Sequence, residues 1–237
     1  MADAKPDPTP GPTPGLKLVI WDVDGTLVDS ADMIMRSMAR GMAAAGLPEL
    51  PPAAVGSIVG LSLPVAVATL LPGTDAPTQA AVVAGYRQSY HDDRTRAESP
   101  LFAGARELLD RLAARDDVLM AVATGKSQRG LTALIAAHDL GRYFVASHCA
   151  DGHPSKPAPG MVLACLSDAG VHADRALMVG DTTYDITMAR NAGVAAVGVA
   201  WGHHPAEDLA AAGALAVARD FAELTRLIEG WIEGTSA

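Results

Sequence analysis

Cysteine, aromatic side chains and positive charge are all scarce in this chain of 237 residues, and each shortage closes off a class of function. Only Cys149 and Cys165 are present, and neither lies in a C-x-x-C pattern. The spacing of a structural zinc site is therefore missing, and two reduced thiols are expected. Aromatics contribute 4% of residues against 49% apolar, so the core has to be built from small aliphatic side chains. Lys and Arg number 18 against 27 Asp and Glu, for a formal charge of −9. A duplex groove wants a basic stripe and an anionic bilayer a basic face, so no nucleic-acid or membrane partner is expected. A small anion is still compatible, because a pocket can be locally positive on an acidic protein. No apolar run reaches the roughly 18 residues that span a bilayer. Residues 1–15, rich in Pro, Thr, Asp and Gly, lack the basic start and apolar stretch of a secretion signal. They read as a disordered tail, and a cytoplasmic location is expected.

What the chain does have is a recurring unit. Leu16–Trp21 is short, apolar and β-branched, and runs into Asp22 and a glycine turn. Similar runs return at Val118–Val122, Ala176–Val179 and Ala195–Val199, with helical patterns over 105–114, 128–138, 160–169 and 184–191. Strands alternating with helices mean a parallel sheet. Residues 32–96 break the alternation with helical segments at 32–45, 64–71 and 80–94, which read as an all-helical lid inserted after the first strand. The methionine stripe Met35, Met38, Met42 on its first helix reads as packing. Hinges are expected near Ser30–Ala31 and Glu98–Pro100, giving a core of 16–30 plus 98–237 and a helical unit of 31–97.

Open parallel sheets bind ligands beyond the carboxyl ends of their strands, so the chemistry belongs to the residues that follow each apolar run. After the first run stand Asp22 and Asp24, two carboxylates at i and i+2 before a glycine turn. Burying both is costly without a cation or a shared proton. Asp29 and Ser30, just downstream, fit a helix cap. After the second run, Thr124-Gly125-Lys126-Ser127 offers a hydroxyl and free N–H groups that suit an oxyanion, or an ordinary helix N-cap. The position five residues before Gly125 is Met120, so this is not a phosphate-binding P-loop. Lys156, one of four lysines, sits in Ser155-Lys156-Pro157 before a helix, as an aimed ammonium or a solvated loop residue. After the run at 176–179, Asp181 and Asp185 lie one helical turn apart, as oxygen ligands for magnesium or as caps together with Thr182.

Taken in order, Asp22-Val-Asp-Gly-Thr, Thr124, Lys156 and Gly180-Asp181-x-x-x-Asp185 resemble the four motifs of the haloacid dehalogenase superfamily over Leu16 to Phe221. That resemblance implies a Rossmann-like three-layer α/β core with a parallel sheet and a small helical cap of the C1 type. The resemblance is greatest to phosphoglycolate-phosphatase-like members. It implies hydrolysis of a small phosphorylated metabolite through an aspartyl-phosphate, with Mg²⁺ as cofactor. By the same resemblance Asp22 is the nucleophile and Asp24 the general acid/base. Thr124, with Gly125, contacts the phosphoryl oxygens, and Lys156 offsets their charge. Asp22, Asp24 through its carbonyl, Asp181 and Asp185 hold the metal. Asp24 argues against the dehalogenase branch, and a lysine-free insert argues against the imine-forming phosphonate hydrolases. A phosphomutase like β-phosphoglucomutase, or a binding protein that kept the fold, are the alternatives. Gly125 departs from the Asn found in many relatives. Among further residues, Gly60–Leu63 and Arg36, Arg87, Arg94 and Arg96 are candidates for reading the leaving group. A solvated loop is expected for His203 and His204, and no catalytic role for His148 or His153. The oligomeric state is not legible.

Overall fold

The computed structural model describes residues 15–96 and 99–234. The tail expectation therefore falls outside the described residues, apart from Gly15, as does Glu98 of the second hinge. Six strands form one parallel sheet: β1 (Lys17–Trp21), β2 (Val118–Thr124), β3 (Ala146–Cys149), β4 (Ala176–Gly180), β5 (Ala195–Val199) and β6 (Ala216–Ala218). Their order is β3-β2-β1-β4-β5-β6, so β1 lies at the centre and the chain reverses its direction of travel between β1 and β4. Ligands bind at that reversal in open α/β sheets.

Period-two side-chain alternation on β1 fills two cores at once. Val19 and Trp21 join one apolar cluster with Leu108, Leu131 and Ile228. These come from α5 (Ala105–Ala113), α6 (Gln128–Ala137) and α10 (Phe221–Glu233). Leu18 and Ile20 join the opposite cluster with Val162, Ile186 and Leu209, from α7 (Gly160–Ala169), α8 (Thr183–Asn191) and α9 (Ala206–Ala212). The result is three layers, with both faces of the sheet covered.

The helical insert has its own core. α1 (Ala31–Ala44), α2 (Pro52–Gly56), α3 (Leu63–Leu70) and α4 (Ala76–Arg96) enclose Ile34, Met38, Met42, Ile58, Val59 and Val82. The methionine stripe is packing, as its spacing implies. The two crossings between insert and sheet run side by side. Val28 bridges Leu101, and the Asp29 N–H donates to the Pro100 carbonyl at 2.9 Å.

Candidate active site

Register brings the distant motifs together. Trp21 pairs with Val122 on one side and Val179 on the other. Asp22 and Thr124 therefore stand at the carboxyl ends of neighbouring strands, and Asp181 directly follows β4 beside them. The carboxylates of Asp22, Asp181 and Asp185 each offer an oxygen within 4.8 Å of the others, and all three residues are buried. Lys156 reaches the same point from the β3–α7 loop. Its Nζ donates to Asp22 Oδ1 at 2.7 Å and to Asp185 Oδ1 at 2.5 Å, and it is 1% exposed.

Asp185 does two jobs. Thr182 is the N-cap of α8; its hydroxyl accepts from the Asp185 N–H, and Asp185 Oδ2 accepts from the Thr182 N–H at 3.1 Å and from its hydroxyl at 2.7 Å. This capping box fixes one carboxylate oxygen on the helix and leaves the other for Lys156. The sequence posed capping and ligation as alternatives, and this arrangement permits both.

The charge balance of the cluster is negative. Burial, reinforced by Asp185 and Asp181, pushes the Asp22 carboxyl up to about 7 against the opposing pull of Lys156. For Lys156, burial disfavours the ammonium, but Asp185 and Asp22 outweigh it and raise its pKa. One ammonium does not balance three buried carboxylates. The donors are hard oxygens, and this set suits a magnesium-sized divalent cation.

Asp24 faces another way. Its two oxygens accept from Lys126 Nζ at 2.8 and 2.9 Å, and the same ammonium donates to the Tyr90 hydroxyl at 2.7 Å. Burial works against the charge of Asp24, yet Lys126 prevails and holds its carboxyl below the ordinary value. The Asp24 carboxylate is thus outside the three-carboxylate cluster, and a metal role for this residue rests on its backbone carbonyl. Thr124 is 1% exposed, and its hydroxyl accepts from the Lys126 N–H at 3.3 Å. The helix-cap alternative for that loop is met by Ser127, which caps α6 by accepting from the Gly130 N–H.

A cavity of about 590 Å³ opens over these residues and is roofed by the insert. Asp22, Asp24, Thr124 and Gly125 line its floor, and Gly60–Leu63, Arg87 and Arg94 its insert side. Gly125 is a point of close approach: a Cβ there would collide with the Gly60 carbonyl and stand 3.0 Å from that of Leu61. Arg36 instead binds Asp93 within the insert, at 3.4 Å, and the Arg96 side chain lies outside the described residues.

His203 corrects the sequence reading of a solvated loop. Its side chain is 6% exposed, its backbone N–H donates to Asp181 Oδ2 at 2.9 Å, and Nδ1 lies 2.8 Å from the same oxygen. Burial lowers the pKa of His203, but the hydrogen bond and charge of Asp181 prevail and raise it. The turn fits because Gly202 has no side chain; a Cβ there would run into Asp181. His204 also turns inward, with Nδ1 accepting from the Thr183 N–H at 3.1 Å. The only cue was a Trp-Gly-His-His run at a strand end. The Lys126–Asp24–Tyr90 contact was missed altogether, since its members are 102 and 36 residues apart. His148 and His153 pair with each other at 3.0 Å, and His148 with Asp168, outside this cluster.

A parallel sheet whose strand ends gather buried acids and an ammonium beneath a helical roof defines an α/β enzyme with its site at the topological switch point. The chain belongs to the haloacid dehalogenase-like hydrolases, whose family model matches residues 19–199. It is 36% identical over 213 residues to "Probable phosphatase IndB" of Dickeya dadantii, covering 87% of this chain and 91% of that protein. It is 35% identical over 218 residues to a phosphoglycolate phosphatase of Rhodospirillum rubrum, covering 88% and 89% respectively. A solved hydrolase from Pseudomonas syringae superposes with a TM-score of 0.81 at 24% identity, covering 90% of this chain and 98% of the other, which speaks to the fold alone. Among the described residues, no helix is long and apolar enough to cross a membrane.

Proposed function

We propose that this chain is a Mg²⁺-dependent phosphatase that cleaves a phosphate monoester through an aspartyl-phosphate on Asp22. The observation that carries the reading is the cluster of three buried carboxylates with a single ammonium, whose Asp22 lines the floor of a roofed cavity. Asp22 attacks phosphorus in line, and the bond from phosphorus to the leaving oxygen breaks. Asp24 gives that oxygen its proton, then takes one from the water that attacks the phosphoryl group and frees Asp22. Thr124 and the Gly125 loop hold phosphoryl oxygens, and Lys156 offsets their charge beside Asp22. The carboxylates of Asp22, Asp181 and Asp185 and the carbonyl of Asp24 would hold the Mg²⁺. When bound, the ion supplies positive charge that lets a dianionic ester approach three acids.

Residues 31–97 act in this reading as a cap on a core of 16–30 and 98–237, with the paired crossings at Val28 and Leu101 as its hinge. Closure excludes bulk water during transfer. Phosphoglycolate phosphatases among the relatives make 2-phosphoglycolate the reference ester. The test is Asp22→Asn, which keeps the shape of the side chain and removes the nucleophile. Turnover of p-nitrophenyl phosphate should fall by at least about 10³-fold with the thermal midpoint little changed. Substantial residual turnover would remove Asp22 from the role.

A further inference from the structure

We infer that the ester cleaved at this site has a bulky, predominantly apolar leaving group, much larger than a two-carbon acid. The inference rests on the phosphatase reading and specifies its substrate class. The first ground is size, measured with the insert already docked. The Ser62 N–H donates to Ser155 Oγ at 2.8 Å, the Tyr184 hydroxyl to the Ser57 carbonyl at 3.0 Å, and Lys126 Nζ to the Tyr90 hydroxyl at 2.7 Å. These contacts tie the roof to the core at three separate places, and the half-open cavity beneath it still measures about 590 Å³. A two-carbon phosphate ester has about nine non-hydrogen atoms. Even at the roughly 30 Å³ that a water molecule occupies in the liquid, it fills less than half of that space. Cavities of this size commonly enclose far larger ligands.

The second ground is the chemistry of the roof. The insert presents Ile34, Met38, Ile58, Val59, Tyr86 and Tyr90 to the cavity. Tyr86 and Tyr90 lie one turn apart on α4 with their rings stacked, centroids 5.8 Å apart. Lys126, the buried base along this wall, already has Asp24 as its ion pair, while the other cations of the lining are Arg87 and Arg129, both exposed, and the half-buried Arg94. A carboxylate on a short leaving group would meet a matching charge only where these arginines reach, and elsewhere under the apolar roof it would lose its water uncompensated. An apolar group of the right bulk would instead gain by covering the same surface.

The experiment compares kcat/KM for 2-phosphoglycolate, ethyl phosphate, benzyl phosphate and 2-naphthylmethyl phosphate, whose leaving alcohols have comparable acidity. The naphthylmethyl ester should be favoured over 2-phosphoglycolate by about 100-fold, with benzyl between them, as burial of added ring surface requires. Equal or better turnover of 2-phosphoglycolate overturns the inference and leaves the phosphatase reading standing. Tyr86→Leu should lower the naphthylmethyl-to-ethyl ratio about fivefold or more, and an unchanged ratio also overturns the inference. If no ester is hydrolysed, it is the phosphatase reading that fails. Calorimetric binding to the unaltered protein then decides the pocket: tighter binding of 2-naphthylmethyl phosphate than of 2-phosphoglycolate upholds it, and equal or weaker binding refutes it.

Discussion

Two aspartates that stand two positions apart in sequence have opposite surroundings. Asp22 is pushed up to about 7 by burial among acids, while Lys126 holds Asp24 below its ordinary value. That split is the reverse of what an ionised nucleophile and a protonated donor require, and a cation held among Asp22, Asp181 and Asp185 would favour the ionised form of Asp22. The Lys126 contact also sets a limit. An ionised Asp24 is ready to take a proton from water, but it can give one to a leaving oxygen only after being protonated itself. Removing the ammonium in Lys126→Met takes away the influence that favours the ionised form, so the pKa of Asp24 should rise. The alkaline fall in kcat/KM for an alkyl phosphate, which reports the free enzyme's acid, should therefore move to higher pH. A profile that keeps its alkaline limb in this variant would show that Lys126 does not govern Asp24. The pairing could not be read from sequence, where Lys126 stood as an ordinary member of a helix-capping loop. Its partner lies on another strand end and its second contact on α4. By contrast Asp22, Lys156, Asp181 and Asp185 were legible, because each follows an apolar run or a proline-stiffened turn, and parallel strands bring such positions together.

Among the elements, α8 couples helix formation to the site. Its capping box uses Asp185, the carboxylate that also receives Lys156. Thr182→Ala removes the hydroxyl that bonds Asp185 Oδ2 and should destabilise the protein by about 1 kcal/mol, as lost N-caps do. It should also free the carboxylate to rotate, weakening Mg²⁺ binding several-fold, with Thr182→Ser restoring both. Chemical denaturation and metal titration measure the two effects. Loss of stability with unaltered metal affinity would separate the cap from the site. Among the strands, how far each could be read from sequence followed its burial. β1, β2, β4 and β5 are interior strands and announce themselves as apolar runs. β3 is an edge strand carrying Ser147 and His148 in a half-buried pattern, and β6 is an edge strand of only three residues. Neither has a periodic signal long enough to read. α2, with five residues, is hidden for the same reason.

For the whole molecule, the proposed metal site would link fold stability to metal binding. Three carboxylates meet at the centre of the sheet, all buried, with Lys156 and the His203 ring beside Asp181 as their partners, and Lys156 alone compensates only part of their charge. The folded chain carries that repulsion whenever the cation is missing, whereas the unfolded chain disperses the same acids into water. A cation that binds only the folded form stabilises it by mass action, by about 2.7 kcal/mol at a hundredfold excess over its dissociation constant. For a chain of this size that corresponds to a rise of roughly 5–10 °C in the thermal midpoint. Mg²⁺ should therefore raise the melting temperature well above that in a chelator, with no substrate present. In Asp181→Ala, which removes one of the three acids, two changes should appear together. The chelated protein loses a source of repulsion, along with the anchor of His203, and the Mg²⁺-dependent rise shrinks to a small fraction of that seen in the unaltered chain. Differential scanning calorimetry in Mg²⁺ and in chelator measures both. Identical midpoints for the unaltered chain in the two conditions would mean that the acids tolerate one another without a metal, and the electrostatic basis of the site would have to be sought in shared protons instead.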